Sequence, residues 1–239
     1  MATWITHLMI ADGLLERFPT LHRTGFCVGN IAPDCNIENE DWTQFTPSRE
    51  ITHWMQGEQK QLSDGEHFYN AYLKNSICDH KSGQEYAFLL GYYAHILTDA
   101  AYQVMIRDEN RVKSVWERIR SDRRLNTLAH EYHETWDSVK KLLSKNDMMR
   151  EIDQIEAEYL SEHPDSGFIE EILPLKQFPD YLDYMPHGCI VRKIGIMAKI
   201  PENKTPCDRF VAISRTEYAD FVEQTIRLLI QTFVEKSLV

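Results

Sequence analysis

The chain has 239 residues, 43% of them hydrophobic and 26% charged, so it is long enough to bury the core of one large domain. Its formal net charge of -11 disfavours nucleic acid and anionic membrane surfaces as partners of the protein without bound metal. Its five cysteines are odd in number and form no CxxC pair, which disfavours a disulfide framework and a thiolate zinc site.

The N-terminal half begins with a helix and a long loop. Apolar residues from Trp4 to Phe18 recur with a helical period, and Pro19 ends that helix. The polar stretch from about Cys27 to Pro47 predicts a loop long enough to have a function of its own. A short helix is expected to follow, carrying residues 51–54.

The most apolar helix of the chain comes next. Ser82-Gly83-Gln84-Glu85 is a capping box, and the helix that it opens is apolar around most of its circumference as far as Leu97. Such a helix is buried at the centre of a fold.

The second half of the chain also has a helical pattern. Helices are predicted from about Glu109 to Ser121, Leu125 to Ser144 and Asp147 to Glu162, and four prolines leave only short helices between Gly167 and Pro206. A last helix runs from the capping box at Ser214 to about Lys236. Because Val/Ile/Thr alternation is nearly absent, the sequence predicts a single all-α domain over residues 1–239.

A histidine and an aspartate interrupt the most apolar helix. His95 and Asp99 stand four residues apart, so their side chains lie on one face about a turn apart. A buried carboxylate needs a partner, and a metal shared with His95 would satisfy both side chains; a simple buried His–Asp hydrogen bond is the alternative. Gly91, one turn earlier on the same face, would let another helix or a ligand approach closely.

Further imidazole and carboxylate groups occur at intervals along the first 134 residues. Each has an ordinary explanation alone, as a surface, turn or core residue, but together they are the ligand types that zinc prefers. Because no cysteine joins them, a catalytic site with open positions is favoured over a closed structural one. The candidates are His7, Asp34, His53, and the i, i+4 pair of His130 and Glu134.

Taken in order, these segments resemble the zinc-dependent phospholipase C family over about residues 3–140. The family shares its helical fold and three-metal site with the single-strand-specific zinc nucleases, so the resemblance implies an all-α fold with a metal cluster at one end of the helical core. The segments are Thr-His7-Leu, Asp34, Thr-His53-Trp, Leu-Gly-Tyr-Tyr-Ala-His95-Ile-Leu-Thr-Asp99 and His130-x3-Glu134.

The resemblance implies two or three zinc ions, with other divalent metals possible. His53, His95 and Asp99 would hold one ion with Asp34 beside it, and Asp99 would bridge to a second ion held by His7. A third ion would be held by His130 and Glu134. Asp34 resembles the family's candidate for positioning or deprotonating the attacking water.

The sequence departs from the family pattern in two places. Secreted members begin with a tryptophan whose free amine and carbonyl bind a metal, thirteen residues before the histidine that His7 matches, whereas only six residues precede His7. The family also has a histidine six residues after the bridging aspartate, and that position is Met105. The third ion therefore loses a ligand unless His133 or Asp137 replaces it.

The function implied by the resemblance is hydrolysis of a phosphodiester by metal-bound water, with a phospholipid or a soluble phosphoester as the substrate. Several aromatic residues could form an apolar approach surface, although core packing is the ordinary explanation for them: Trp42, Phe45, Trp54, Tyr69 and Tyr72. Because the sequence has no signal-peptide pattern and no apolar run of membrane-spanning length, a cytoplasmic enzyme is expected. The sequence does not predict an oligomeric state.

Two alternatives stay open at this stage. One is a nuclease or phosphatase of the same zinc type, which is disfavoured because the basic stretch from Arg111 to Arg124 is mixed with acids and predicts a solvated face. The other is a metal-binding module that has lost catalysis, which Met105 favours.

Overall fold

The computed structural model describes residues 2–55, 63–74, 83–201 and 209–239. These residues form an all-α fold, as the sequence predicts, with one two-stranded antiparallel sheet in which Ile37 pairs with Thr46. The strands are β1 (Ile37–Glu38) and β2 (Phe45–Thr46), and the helices are α1 (Trp4–Arg17), α2 (Arg23–Gly29), α3 (Arg49–Thr52), α4 (Gly65–Phe68), α5 (Gly83–Arg107), α6 (Glu109–Ser121), α7 (Asn126–Ala129), α8 (Trp136–Leu142), α9 (Lys145–Glu162), α10 (Cys189–Met197) and α11 (Arg215–Glu235). Short 3-10 and π-helical turns occupy Ala32–Asp34, Tyr69–Leu73 and Phe168–Ile172.

Helix α5 is the buried centre of the molecule, as its apolar circumference predicts. From Ala87 to Ile96 every side chain is buried, and helices α1, α2, α4 and α11 pack against α5. Ser82, the first residue of the predicted capping box, lies outside the described residues. No helix in the described ranges is long and apolar enough to cross a membrane.

Two glycines allow α2 to cross α5 with their backbones in contact. A Cβ atom on Gly91 would lie 2.2 Å from the carbonyl oxygen of Phe26, and one on Gly29 would lie 2.1 Å from that of Phe88. Only residues without a side chain permit this approach. The close neighbour predicted for Gly91 is therefore helix α2, and the crossing brings the end of α2 to the face of α5 that carries His95.

The predicted loop from Cys27 to Pro47 is shorter and more ordered than expected. Helix α2 continues through Gly29, the 3-10 turn holds Asp34, and the remainder forms the β1–β2 hairpin.

The prediction of one helix from Leu125 to Ser144 is wrong, because this segment is broken between α7 and α8. The side chain of Thr135 accepts a hydrogen bond from the backbone N–H of Ser138, and this cap starts a separate helix.

The basic stretch on α6 is not simply a solvated face. Arg111 is 8% exposed and donates to the carbonyl oxygens of Ile106 and Ala212. Arg118 donates to the carbonyl of Val211 and forms an ion pair with Glu217. These arginines anchor the segment before α11, a role that helical periodicity alone does not reveal.

The C-terminal part of the chain completes the core around α1. Glu156 on α9 accepts hydrogen bonds from the backbone N–H and hydroxyl of Thr6 at 3.1 and 2.9 Å. Tyr218 on α11 reaches the same carboxylate at 3.2 Å. Helices α9 and α11 from the C-terminal part of the chain thus converge on the start of α1.

Candidate metal centre

Five of the seven residues predicted as metal ligands converge at one place. His7 comes from α1, Asp34 from the 3-10 turn and His53 from the end of α3, while His95 and Asp99 come from α5. Their potential ligand atoms fall into two sets, each lying within 4.8 Å of one another. We call these the Asp34 group (Asp34, His53 and His95) and the His7 group (His7, His95 and Asp99).

The carboxylate of Asp99 lies between His7 on one side and His53 and His95 on the other. Its Oδ1 is 3.6 Å from Nε2 of His7, whereas its Oδ2 is 3.6 Å from Nε2 of His53 and 4.0 Å from Nε2 of His95. Each oxygen therefore faces a different set of imidazoles. A carboxylate that bridges two cations presents its oxygens in this way.

The separations between ligand atoms suit a small tetrahedral cation. Zinc bonds to nitrogen and oxygen of about 2.0–2.2 Å separate neighbouring ligand atoms by about 3.3–3.6 Å in a tetrahedron. Nε2 of His53 lies 3.3 Å from Oδ1 of Asp34 and 3.4 Å from Nε2 of His95. The Asp34 group thus has a ligand spacing that fits zinc.

Hydrogen bonds outside the groups orient two of the imidazoles. Nδ1 of His95 lies 2.7 Å from the carbonyl oxygen of Asn30. Because a carbonyl only accepts, Nδ1 carries the proton and the lone pair of Nε2 points into the centre. Nδ1 of His53 lies 3.0 Å from the hydroxyl of Thr52, a contact that holds the ring with Nε2 toward the centre. The Gly29–Gly91 crossing places the Asn30 carbonyl where His95 can reach it.

The electrostatics of the Asp34 group favour the protonation states that bind metals. Burial lowers the pKa of His95 well below its usual value, which keeps the ring neutral. Burial would raise the pKa of Asp34, but the hydrogen bond with His53 and nearby positive charge, including that of Arg49, outweigh it and hold the pKa well below its usual range. A neutral imidazole and an ionised carboxylate are the forms that coordinate zinc.

His7 provides an independent test of whether the residues fit a metal. It is fully buried, and neither ring nitrogen has a hydrogen-bond partner within the described residues. Its ring stacks on that of His95 with centroids 3.8 Å apart. Because a buried polar group without a partner is costly, a cation between His7 and Asp99 gives this imidazole the partner that it lacks.

Comparison with known families agrees with this geometry. A model of the zinc-dependent phospholipase C family matches residues 6–166. The chain belongs to this family. No curated protein and no solved structure matches the chain. In this member of the zinc-dependent phospholipase C family, all five converging residues lie within the matched range.

The third metal site implied by the family resemblance is not assembled. His130 is exposed at the end of α7, and Glu134 lies in the break before α8, where it forms an ion pair with Arg120. Within the described part of the chain, neither residue belongs to a group of three potential ligands. The suggested replacements do not supply one either, because His133 is exposed and Asp137 pairs with Lys140. Met105, at the position where the family has a histidine, lines an apolar groove between α5 and α11.

The N-terminal segment enters the centre although the tryptophan pattern of secreted family members is missing. The backbone N–H of Ala2 donates to Oδ1 of Asp99 at 3.2 Å. Thr3 caps α1 by accepting from the N–H of Thr6, which sets the first turn and thereby the position of His7. The short stretch before His7 thus contributes a donor to the bridging carboxylate.

A strained turn fixes His53 at the end of α3. Trp54 adopts a positive φ of 51°, which is rare for a bulky residue. The N–H of Met55 bonds to the carbonyl of Glu50, and the N–H of Trp54 bonds to that of Ile51. This is the pattern of a Schellman cap, in which glycine usually holds the position that Trp54 occupies. The cap ends α3 immediately after His53.

Arg49 is a residue of the centre that the sequence analysis missed. Its Nη2 lies 3.1 Å from Oδ1 of Asp34 and 3.2 Å from Nε2 of His53. The i, i+4 spacing of Arg49 and His53 was the available signal, although the predicted short helix carried only residues 51–54. A search restricted to ligand types passes over it because arginine does not bind metals.

Proposed function

We propose that this protein is a zinc-dependent hydrolase of phosphodiesters, with a lipid-type phosphodiester as its substrate. Asp34, His53 and His95 would hold one zinc ion and His7 would hold a second, with the carboxylate of Asp99 shared between them. The observation that carries the proposal is the placement of the two Asp99 oxygens toward different imidazoles, and membership of the zinc-dependent phospholipase C family supports it.

Zinc at these residues would supply a water whose pKa is brought to about 7, together with a Lewis acid for the phosphate oxygens. The residues of the chain prepare the site for that chemistry. Asn30 and Thr52 hold the Nε2 atoms of His95 and His53 toward the centre, and the buried walls exclude bulk water. A dry site strengthens the electrostatic stabilisation of charge on the phosphate.

Asp34 is suited to orient the attacking water. Its side chain is 9% exposed, whereas His7, His53, His95 and Asp99 are at most 1% exposed, so it lies at the accessible edge of the centre. Its low pKa keeps the carboxylate ionised, which suits it to orient the water by accepting a hydrogen bond rather than to remove its proton. Attack on phosphorus would then break the bond to the leaving alcohol and produce a phosphomonoester.

An aromatic cavity beside α3 supports a substrate with an apolar part. It has a volume of 370 Å³, and its lining includes Trp54, Tyr72 and Tyr184. Trp54 directly follows His53 in the chain, and Glu50 and Ile51 of α3 also line the cavity. Two of the aromatics predicted as an approach surface line this cavity, while Trp42 is 46% exposed at the β1–β2 hairpin.

The test combines zinc content with turnover. The purified protein, loaded with zinc and dialysed, is expected to retain two zinc ions per chain by elemental analysis. It should hydrolyse bis(4-nitrophenyl) phosphate and phosphatidylcholine in mixed micelles, and a chelator should abolish both activities. Asp34→Asn should lower kcat by about 100-fold or more, because the attacking water loses the acceptor that orients it, with a smaller effect on zinc content.

Asp220→Asn on the exposed face of α11 is the matched control, because it makes the same chemical change away from the centre. It should leave both zinc content and turnover unchanged. A protein that binds one zinc ion and hydrolyses neither substrate would favour a metal-binding module without catalysis. Hydrolysis of single-stranded nucleic acid in preference to both substrates would favour a nuclease.

A further inference from the structure

The accessible side of the Asp34 group carries a fixed positive charge. The guanidinium of Arg49 contacts both Asp34 and His53, and its side chain is 29% exposed. The residues that it contacts are much more buried, at 9% for Asp34 and 1% for His53. Arg49 therefore stands between the centre and solvent, on the side from which a substrate can arrive.

Helix α3 fixes this position. Arg49 is the first residue of α3, and His53 caps its end four residues later, so the two side chains lie on one face. The Schellman cap at Trp54 ends the helix directly after this face is formed. A movement of Arg49 away from the centre would require a rotamer change or a shift of the helix that also carries His53.

A guanidinium in this place is chemically suited to a phosphate group. A centre loaded with divalent cations gathers positive charge that two carboxylates, Asp34 and Asp99, balance only in part. Arginine is permanently charged and presents parallel N–H donors that match two phosphate oxygens. A phosphate group at the centre would balance this positive charge and match the paired donors of the guanidinium.

We infer that Arg49 is a phosphate-binding residue of this site and donates hydrogen bonds to the non-bridging oxygens of the substrate's phosphoryl group. The identity of the bound group rests on the proposed function. A purely structural role is the competing explanation, in which Arg49 only neutralises Asp34 and supports the fold of the centre.

The experiment measures binding of inorganic phosphate to the zinc-loaded protein by calorimetry, beside zinc content by elemental analysis. Arg49→Gln should weaken phosphate binding by about ten-fold or more, the effect expected from the loss of charge-assisted hydrogen bonds, while zinc content stays at the wild-type level. Arg49→Lys should lie between wild type and Arg49→Gln, because lysine keeps the charge but loses the paired donors.

Arg227→Gln is the control, since Arg227 is 70% exposed and pairs with Glu223 within α11. It should leave phosphate affinity unchanged. The inference is overturned if zinc-loaded wild type binds no phosphate, if Arg49→Gln binds it as tightly as wild type, or if Arg49→Gln loses zinc in parallel.

Kinetic measurements separate this inference from the proposed function. If wild type binds phosphate and Arg49→Gln does not, the inference holds even when neither protein hydrolyses a phosphodiester, and the proposed function alone fails. If hydrolysis occurs, the inhibition constant of inorganic phosphate should rise in Arg49→Gln by the same factor as the calorimetric dissociation constant. Hydrolysis with an unchanged inhibition constant would support the structural role instead.

Discussion

At the scale of single residues, Asp99 decides whether the centre holds one cation or two. Its Oδ1 faces His7 and its Oδ2 faces His53 and His95, so both oxygens must remain acceptors for two ions to share this carboxylate. Asparagine keeps the shape of the side chain but replaces one oxygen with an amide that only donates. The change therefore removes a ligand without opening a cavity.

We expect Asp99→Asn to retain at most one zinc ion per chain after dialysis, with affinity for the other weakened by about 10- to 100-fold or more, since even indirect changes at zinc sites have effects of that size. Elemental analysis and a competitive chelator titration measure the two quantities. Asp220→Asn is again the matched control and should bind as wild type does. Full zinc occupancy in Asp99→Asn would show that the carboxylate does not bridge.

At the scale of elements, the crossing of α2 and α5 positions the ligands of the centre. Gly91→Ala would place a methyl group 2.2 Å from the carbonyl oxygen of Phe26, a contact that forces the two backbones apart. We expect the free energy of unfolding to fall by about 1–3 kcal/mol or more. Zinc binding should also weaken, because the Asn30 carbonyl would move away from His95. Chemical denaturation and zinc titration test the two effects.

Gly195→Ala is the control for this substitution. Gly195 lies within α10, and an added methyl group would meet no atom within 4 Å. Alanine also favours the helix over glycine by up to about 1 kcal/mol, so the control should be as stable as wild type or more stable. Equal stability losses in both variants would mean that the close crossing does not matter.

The elements also show which features a sequence can reveal. The i, i+4 spacing of His95 and Asp99 in an apolar helix is a local pattern. The prediction that this helix is buried at the centre of the fold is confirmed. The break between α7 and α8 depends on a single cap at Thr135, which competes with a continuous helical pattern and is easily missed. Arg49 was missed for another reason, because its partner Asp34 lies fifteen residues away and the contact is tertiary.

At the scale of the whole molecule, a buried carboxylate links both ends of the chain to the metal centre. Glu156 on α9 is 1% exposed and receives hydrogen bonds from Thr6 on α1 and Tyr218 on α11. It also contacts the hydroxyl of Thr3. No local pattern predicts this convergence, since Glu156 stands 150 residues from Thr6 in the sequence. Residues after 141 thus help to hold the turn of α1 that precedes His7.

Glu156 should make the stability of the protein depend on pH near neutrality. Burial raises the pKa of Glu156 to about 7 from an ordinary value of 4.5, although its hydrogen bonds oppose the shift. The folded state therefore binds the proton more tightly than the unfolded state. The stabilisation is complete below pH 4.5 and is lost as the pH rises through about 7. Glutamine resembles the protonated acid and does not titrate.

We expect the stability of Glu156→Gln, relative to wild type, to increase by about 2–3 kcal/mol between pH 5 and pH 8, because only the wild type loses this contribution. Denaturant unfolding of both zinc-loaded proteins at each pH measures this difference in the free energy of unfolding. The contributions of other titrating groups cancel because both proteins contain them. Glu158→Gln, an exposed position on the same helix paired with Arg215, should show no such trend. Parallel stability profiles for wild type and Glu156→Gln would mean that Glu156 is ionised in the folded protein and that α1 is held without its proton.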